Sequence, residues 1–306
     1  MDFHKLTNIM KLGRTLAHAA MLVYILGVLF ALVIGSPFDV YKFVLGYAIV
    51  FTSVLATGYT NNYYDVSIDK FATQTAFSGG SSILVQHPEL RTTIRNVFVF
   101  LYCLSILLGL AFTLVFSYSW TFFAFVIVAN FVGWSYTAPP LKLVYRGFGE
   151  IVTMFGASYL LAGAGYFVVK GTIDGSFVLF SLPLLLFGFA VSFYLEIPDR
   201  NVDREGHKIT LVVLKGERFC FIIGAVFLGL AALCYVVFSM FHVFEGGANF
   251  LAIAVFSLIP FGIGVWSLRK YLIDPVTMMT GVFRATACIF LMWIFLDVYF
   301  VYVILT

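Results

Sequence analysis

Nine runs of roughly twenty apolar residues, parted by short polar stretches, limit what this chain can become. In hydrocarbon, every backbone N–H and C=O must be satisfied inside the protein, which leaves helices and closed barrels. Runs of this length suit helices across a core of about 30 Å. A barrel would instead be written in short segments of alternating polarity. The spacing predicts spans at 15–35, 40–61, 93–117, 119–137, 148–169, 177–197, 218–241, 249–268 and 280–304. Composition agrees. Of 306 residues only 11% are charged, against about 25% in soluble domains, and mean hydropathy is +1.02. The expected fold is all-α and membrane-embedded, a single domain over 1–306. Met1 to Arg14 is mixed polar and the first apolar run is long enough to span, so no cleavable signal peptide is expected. Cys103, Cys220, Cys234 and Cys288 stand alone in apolar runs, as small buried hydrophobes do.

The polar stretches alternate between two kinds. All Lys and Arg except Lys42 and Lys170 fall on one side. The positive-inside rule then puts the N-terminus and the basic loops in the cytoplasm, and nine spans put the C-terminus outside. The cytoplasmic loops 70–92, 138–147 and 198–217 are long and the outer ones short, so function is expected at the cytoplasmic face.

Two acidic elements meet those loops. Asn61, Asp65 and Asp69 recur every four residues where the second run closes, and Asp199 and Asp203 do so after the sixth. Such spacing sets side chains on one helix face, a turn apart. Acids so placed repel unless a cation lies between them. Hard cations take oxygen ligands, and Mg²⁺ combines one or two carboxylates with phosphate oxygens and water. Asp65 and Asp69 are therefore assigned one ion and Asp199 and Asp203 a second, with Asn61 a turn deeper and Glu196 as a further metal contact or a base. Two ions facing across a cavity neutralise a diphosphate and make it leave. Arg14, Lys142, Arg146, Arg204 and Lys208 are the candidates to hold its oxygens, Lys142 and Lys208 foremost. Taken singly, a pair of acids at a helix end is commonly just a solvated terminus. Two matching pairs in a chain with 15 acids are not. Spans two and six, each closed by such an element, suggest a pseudo-repeat of four helices.

Weaker signals surround these. Phe77 to Ser82 contains paired glycines of the kind that let backbone N–H groups approach an anion, and also of the kind found in ordinary loops. Among 36 Phe and 17 Tyr most are membrane packing. Tyr59, Tyr63, Tyr64, Trp134, Phe193 and Tyr194 are expected to line a cavity and face a forming cation. Glu150 lies near the predicted mouth, and Asp297, inside the last span, is expected to have a structural partner. The histidines lack ligand spacing.

Together these elements resemble the UbiA superfamily of intramembrane prenyltransferases. Asn61, Asp65 and Asp69 match its first motif. Asp199, Asp203, Gly206, Lys208 and Thr210 match its second, and the Tyr136 to Lys142 and Arg146 to Glu150 stretches also look like the family. The resemblance covers nearly the whole chain. It implies nine transmembrane helices around a central cavity, two Mg²⁺ ions and an isoprenyl diphosphate donor. Ser78-Gly79-Gly80-Ser81, with Gly147-Phe148-Gly149-Glu150, looks most like the menaquinone-pathway branch, which prenylates 1,4-dihydroxy-2-naphthoate, an aromatic acceptor. Where that branch has Asn, this chain has Leu195, with Glu196 beside it.

The sequence therefore predicts a Mg²⁺-dependent prenyltransferase in a prokaryotic cell membrane, working from the cytoplasmic face, with the lipid bilayer and no nucleic acid as its surroundings. Other prenyl diphosphate chemistry, cyclisation or transfer to a lipid glycerol, is the first alternative. A transporter of an amphipathic anion is the second. It is disfavoured because the carboxylates sit at span ends and no Gly or Pro breaks match at mid-span.

Overall fold

The computed structural model describes residues 20–70, 81–244 and 246–306. Among these the chain is helical throughout, and eight helices are long and apolar enough to cross a membrane. We label the long helices α1 (Ala20–Val33), α2 (Val40–Tyr64), α3 (Arg91–Val115), α4 (Trp120–Thr137), α5 (Gly149–Lys170), α6 (Gly175–Glu196), α7 (Glu217–Met240), α8 (Phe250–Ile273) and α9 (Met278–Leu305). Helix α1 is described from Ala20; the predicted span 15–35 begins outside the described residues.

Local sequence explains the ends. Asp39, Ser119, Asp174 and Asn249 accept backbone N–H groups as N-caps of α2, α4, α6 and α8, satisfying donors that a helix start leaves unpaired. Helix α8 runs to Ile273, past the predicted end at 268. Lys270 there lies over the Trp266 ring, as Arg284 does from α9, so the charges sit on an aromatic face and need not end the helix. Pro183 and Pro260 lie inside α6 and α8 without interrupting them.

Sequential helices pack as neighbours: α2 with α3, α3 with α4, α6 with α7, α7 with α8 and α8 with α9. Helix α9 returns to α6. Helix α5 carries a π-helical stretch, Phe155–Leu160, a wider turn often found at functional sites. Gly156, Ala157 and Leu160 of that stretch face an interior cavity.

The cavity has a volume of about 420 Å³ and lies between α2, α4 and α5, closed by residues of α1, α6 and α9. On α2 its lining runs from Gly46 to Asn61 along one face. Fifteen residues at 1.5 Å each make that about 22 Å. Most of the wall is apolar, and Asn61, Glu196 and Asp199 stand at one end.

The aromatics expected to line this space do not. Tyr59, Tyr63, Tyr64 and Trp134 pack with Phe98 and Tyr102 in a separate cluster on α2, α3 and α4. Phe193 and Tyr194 belong to the main core. Both sets lie on helix faces turned from the cavity, and proximity in sequence to an acidic motif did not reveal which face that was. Phe122, Phe125, Tyr136, Phe290 and Trp293 line it instead. Asp297 also departs from expectation. It is buried, and neither carboxyl oxygen has a donor among the described residues. Its neighbours in the last helix, Leu296 and Phe300, belong to an apolar core that offers it none.

Candidate active site

Backbone continuity sets the first motif. Helix α2 ends at Tyr64, Asp65 is its C-cap, and a short helix, Val66–Asp69, follows. Asp65 N–H still bonds to the Asn61 carbonyl and Asp69 N–H to that of Asp65, each at 2.9 Å. The three side chains so keep roughly one face across a break that spacing alone did not predict. The second motif is built alike. Asp199 precedes a short helix, Arg200–Glu205, and Asp203 N–H bonds the Asp199 carbonyl at 2.8 Å. The chain then reverses. His207 takes a left-handed conformation at φ 57°, and Lys208 N–H returns to the Asp203 carbonyl at 2.9 Å. That reversal aims the Lys208 side chain back over the acids.

Lys208 joins the two motifs. Its Nζ lies 2.9 Å from Asp65 Oδ2 and 3.8 Å from Asp203 Oδ1. Gly206 lets them close up. A Cβ there would stand 2.5 Å from Ile68 Cγ1, too near for any other residue without movement. Asp65, Asp69 and Asp203 are 8%, 6% and 6% exposed. Burial, then Asp65, push the Asp69 carboxyl up to about 7, against the pull of Lys208. Burial also pushes Asp203 up to about 6, and Lys208 opposes it. Burial disfavours the Lys208 charge, yet Asp65 and Asp203 outweigh it and raise its pKa. One ammonium thus faces more negative charge than it can neutralise.

Other side chains fix this arrangement. Tyr145, in the turn Leu143–Arg146, donates its hydroxyl to Asp65 Oδ1 at 2.6 Å. Thr137, at the end of α4, donates to Asn61 Oδ1 at 2.9 Å. Glu150 is buried and accepts the Leu211 backbone N–H, tying α5 to the segment that carries Lys208. Glu196 lines the cavity mouth and lies against Glu150, with Asp203 also near enough to act on its charge. Leu195 lines the cavity too.

The remaining basic candidates differ. Lys142 is exposed in a left-handed backbone at φ 46°, with Nζ 5.8 Å from the Tyr145 ring centre; Lys208 Nζ is 5.9 Å from the same centre. A bulky residue held at positive φ stores strain of the sort functional sites keep. Arg146 is exposed and donates to the Pro140 carbonyl at 2.9 Å. Arg204 is exposed beside Asp203. Arg200 is paired with Glu217 at 2.6 Å and is not offered to the cavity. Arg14 and Phe77 to Gly80 lie outside the described residues. Ser81, where the chain resumes, gives its backbone N–H to Asp69.

Tyr145, Thr137 and the tie from Glu150 to Leu211 were not legible as site features. Tyr145 sits between Lys142 and Arg146, both singled out by charge, but no spacing rule marks a lone tyrosine. Its partner is 80 residues away.

The donor set suits a hard cation. It is all oxygen, it carries excess negative charge, and the buried Asp69 Oδ2 has no partner among the described residues. Among those residues no three acids, histidines or cysteines are already drawn into a ligand shell; Lys208 stands between the two motifs.

A membrane-length helical bundle here sets an acidic cluster that suits a hard cation beside an apolar slot that suits a hydrocarbon chain. The chain belongs to the UbiA prenyltransferase family, whose sequence pattern matches residues 20–273. With eight helices long and apolar enough to cross a membrane among the described residues, it is an integral membrane protein. It is 27% identical over 164 residues to the 1,4-dihydroxy-2-naphthoate octaprenyltransferase of Bacillus subtilis (strain 168), an alignment that takes in 54% of this chain and only about half, 51%, of that protein. The fold is similar to that of a UbiA homologue from Archaeoglobus fulgidus bound to DMAPP and Mg²⁺, with a TM-score of 0.69 at 14% identity over 95% of this chain and 99% of that one. It is equally similar to an apo UbiA homologue from Aeropyrum pernix K1, at 0.69 and 13% identity over 92% and 98%.

Proposed function

We propose that this protein transfers an isoprenyl group from a prenyl diphosphate to an aromatic acceptor of the 1,4-dihydroxy-2-naphthoate kind, with Mg²⁺, in menaquinone-type quinone synthesis. The observation that carries the reading is the Lys208 bridge, which brings Asp65 and Asp203 together at the head of the apolar cavity. Relatives support the chemistry: one is a naphthoate prenyltransferase, and a solved homologue holds DMAPP and Mg²⁺.

Asp65, Asp69, Asp199 and Asp203 would hold Mg²⁺, two ions by the pairing of the motifs, with Asn61 beside them. Bound there, Mg²⁺ supplies the Lewis acidity that makes diphosphate a good leaving group. Lys208, Lys142, Arg146, Arg204 and Arg14 hold diphosphate oxygens, and Tyr145 and Thr137 keep Asp65 and Asn61 in place. The apolar slot takes the isoprenoid chain and excludes water. The C1–O bond breaks with its electron pair leaving on diphosphate. A ring carbon bonds to C1 and loses its proton, and Glu196 at the cavity mouth is the acceptor we assign. The basic loops support a cytoplasmic orientation of this face by the positive-inside rule, and a prokaryotic cell membrane is part of the proposal.

The test is a product screen of purified enzyme with several prenyl diphosphates against naphthoate, hydroxybenzoate and glycerophosphate acceptors. Prenylated naphthoate should form with Mg²⁺ and vanish on chelation. Asp65→Ala and Lys208→Met should each lower turnover at least ~100-fold, the scale of losing a charge-stabilising group. Full activity in folded Asp65→Ala, or products from the glycerol acceptor alone, would sink the proposal.

A further inference from the structure

The cavity is a slot with three long walls. One face of α2 lines it from Asn61 to Gly46, fifteen residues or about 22 Å. One face of α4 does so from Tyr136 to Phe122, fourteen residues or about 21 Å, and α5 runs alongside from Val152 to Val168. These walls present mostly hydrocarbon. The hydroxyls of Thr57, Ser105 and Ser192 each donate to a backbone carbonyl. Asn130 spends its Nδ2 on the Val126 carbonyl at 2.8 Å and on Ser105 Oγ at 3.1 Å, and its oxygen is buried without a donor among the described residues.

Among the described residues the far end of the slot is shut. Gly46 brings α1, α2 and α5 together there: a Cβ on it would stand 2.5 Å from Val168 Cγ2 and 2.7 Å from the Tyr24 hydroxyl. That hydroxyl is held in turn by the Phe43 carbonyl at 3.0 Å. Phe122 completes the floor. It is 1% exposed, and its ring centre lies 4.5 Å from that of Phe112 and 5.1 Å from that of Phe167. Val23 of α1 and Trp293 of α9, both buried, close the flank. Close-packed groups of this kind do not yield even a methylene's width without cost. A tail that enters at the acidic mouth therefore meets a wall, and the slot has a length.

That length has a chemical meaning. An isoprene unit adds four carbon–carbon bonds to a chain. An extended chain advances about 1.1–1.2 Å per bond, so each unit takes about 4.6 Å. The last carbon must also stop about 3.5–4 Å short of the floor, the ordinary contact distance between carbons. About 18 Å of the slot is then usable, the length of about four units. We propose that the slot is a ruler with Gly46, Phe122 and Val168 as its stop, and that the donor is a prenyl diphosphate of up to about four units, or about twenty carbons. The proposal rests on the prenyl transfer reading above and adds the donor's length to it. Phe122 and Val168 meet the end of the tail and touch no reacting atom.

The experiment reads donor binding, so that it does not depend on the acceptor. Prenyl thiodiphosphates of two to eight units, whose C–S bond resists ionisation, compete for the purified protein in lipid nanodiscs with Mg²⁺. Donors of up to four units should bind with similar affinity, because the surrounding lipid is as apolar as the slot. Donors of five or more units should bind about 10- to 100-fold more weakly, the scale of overpacking a core. Ala164 lines the same wall as Val168, one turn nearer the mouth. Ala164→Leu should move the break from four units to three, and Phe122→Ala should move it to five or beyond. The wild-type series needs no variant to fold. Equal binding of four-unit and eight-unit donors by the wild type overturns the inference, because the tail then leaves the slot sideways into lipid. A break that stays at four units in folded Ala164→Leu overturns it as well. A break at four units with no transfer to any aromatic ring supports the length limit and overturns the proposed function separately.

Discussion

Tyr145→Phe removes one atom from the centre of the site. In the wild type the Tyr145 hydroxyl donates to Asp65 Oδ1 at 2.6 Å while Lys208 takes Oδ2 at 2.9 Å. Burial, and then the charge of Asp65, raise the phenol's pKa above its ordinary value, so it stays a donor at neutral pH. The ring stands 5.8 Å from Lys142 Nζ and 5.9 Å from Lys208 Nζ, and phenylalanine keeps that face. What disappears is one hydrogen bond to a carboxylate, worth about 1.5–3 kcal/mol. At about 1.4 kcal/mol per factor of ten, kcat/KM should fall roughly 10- to 100-fold. Because Asp65 is left free to turn, the loss should be greatest at limiting Mg²⁺. The assay is diphosphate release in lipid nanodiscs, titrated with Mg²⁺, beside thermal melting of the same samples. A melting point within a few degrees of wild type is expected. Activity within twofold of wild type at limiting Mg²⁺ would refute the argument that Tyr145 orients Asp65.

Two further outcomes follow from the same geometry. Gly206→Val places a Cβ 2.5 Å from Ile68 Cγ1. Overpacking of this sort costs about 1–3 kcal/mol, and turnover should fall more than melting temperature, whereas Gly175→Ala, which meets nothing within 4 Å, should leave turnover unchanged. The pH response has a definite sign. Asp69 and Asp203 rise from 3.8 to about 7 and about 6, so the metal-free folded state holds protons that the unfolded chain has lost. Stability without Mg²⁺ should therefore decline as pH rises from about 4 to about 7 and level off above. Mg²⁺ competes with those protons, so its affinity should increase over the upper part of that window; melting curves with Mg²⁺ and with a chelator, taken across it, check both.

Much of the bundle could be read from residue patterns because its cause is local. Helix length follows from apolar run length, since a backbone in hydrocarbon must bond to itself. The ends at Lys170 and Glu196 fell within a residue or two of expectation for that reason. The extension of α8 to Ile273 did not: Lys270 lies over Trp266 one turn earlier, and only the packing of α9 brings Arg284 over the same ring. The acidic pairs were visible because their four-residue period is itself a helical property. Which aromatics face the cavity was not, since all-apolar helices carry no polar side to show their orientation.

By itself, then, the sequence determined a many-helix membrane chain with two Asp-x-x-x-Asp elements near its polar loops. Only the tertiary structure decided that the elements meet. Lys208 reaches Asp65 across 143 residues because Gly206 leaves room for Ile68. Tyr145 reaches the same carboxylate from a third loop. Likewise, a hydrogen-bond chain through Ser105 turns the amide of Asn130 so that its oxygen lacks a donor. Periodicity records what neighbours along a helix do to one another. It carries no record of which helices come to lie side by side, and there the chemistry of the site was set.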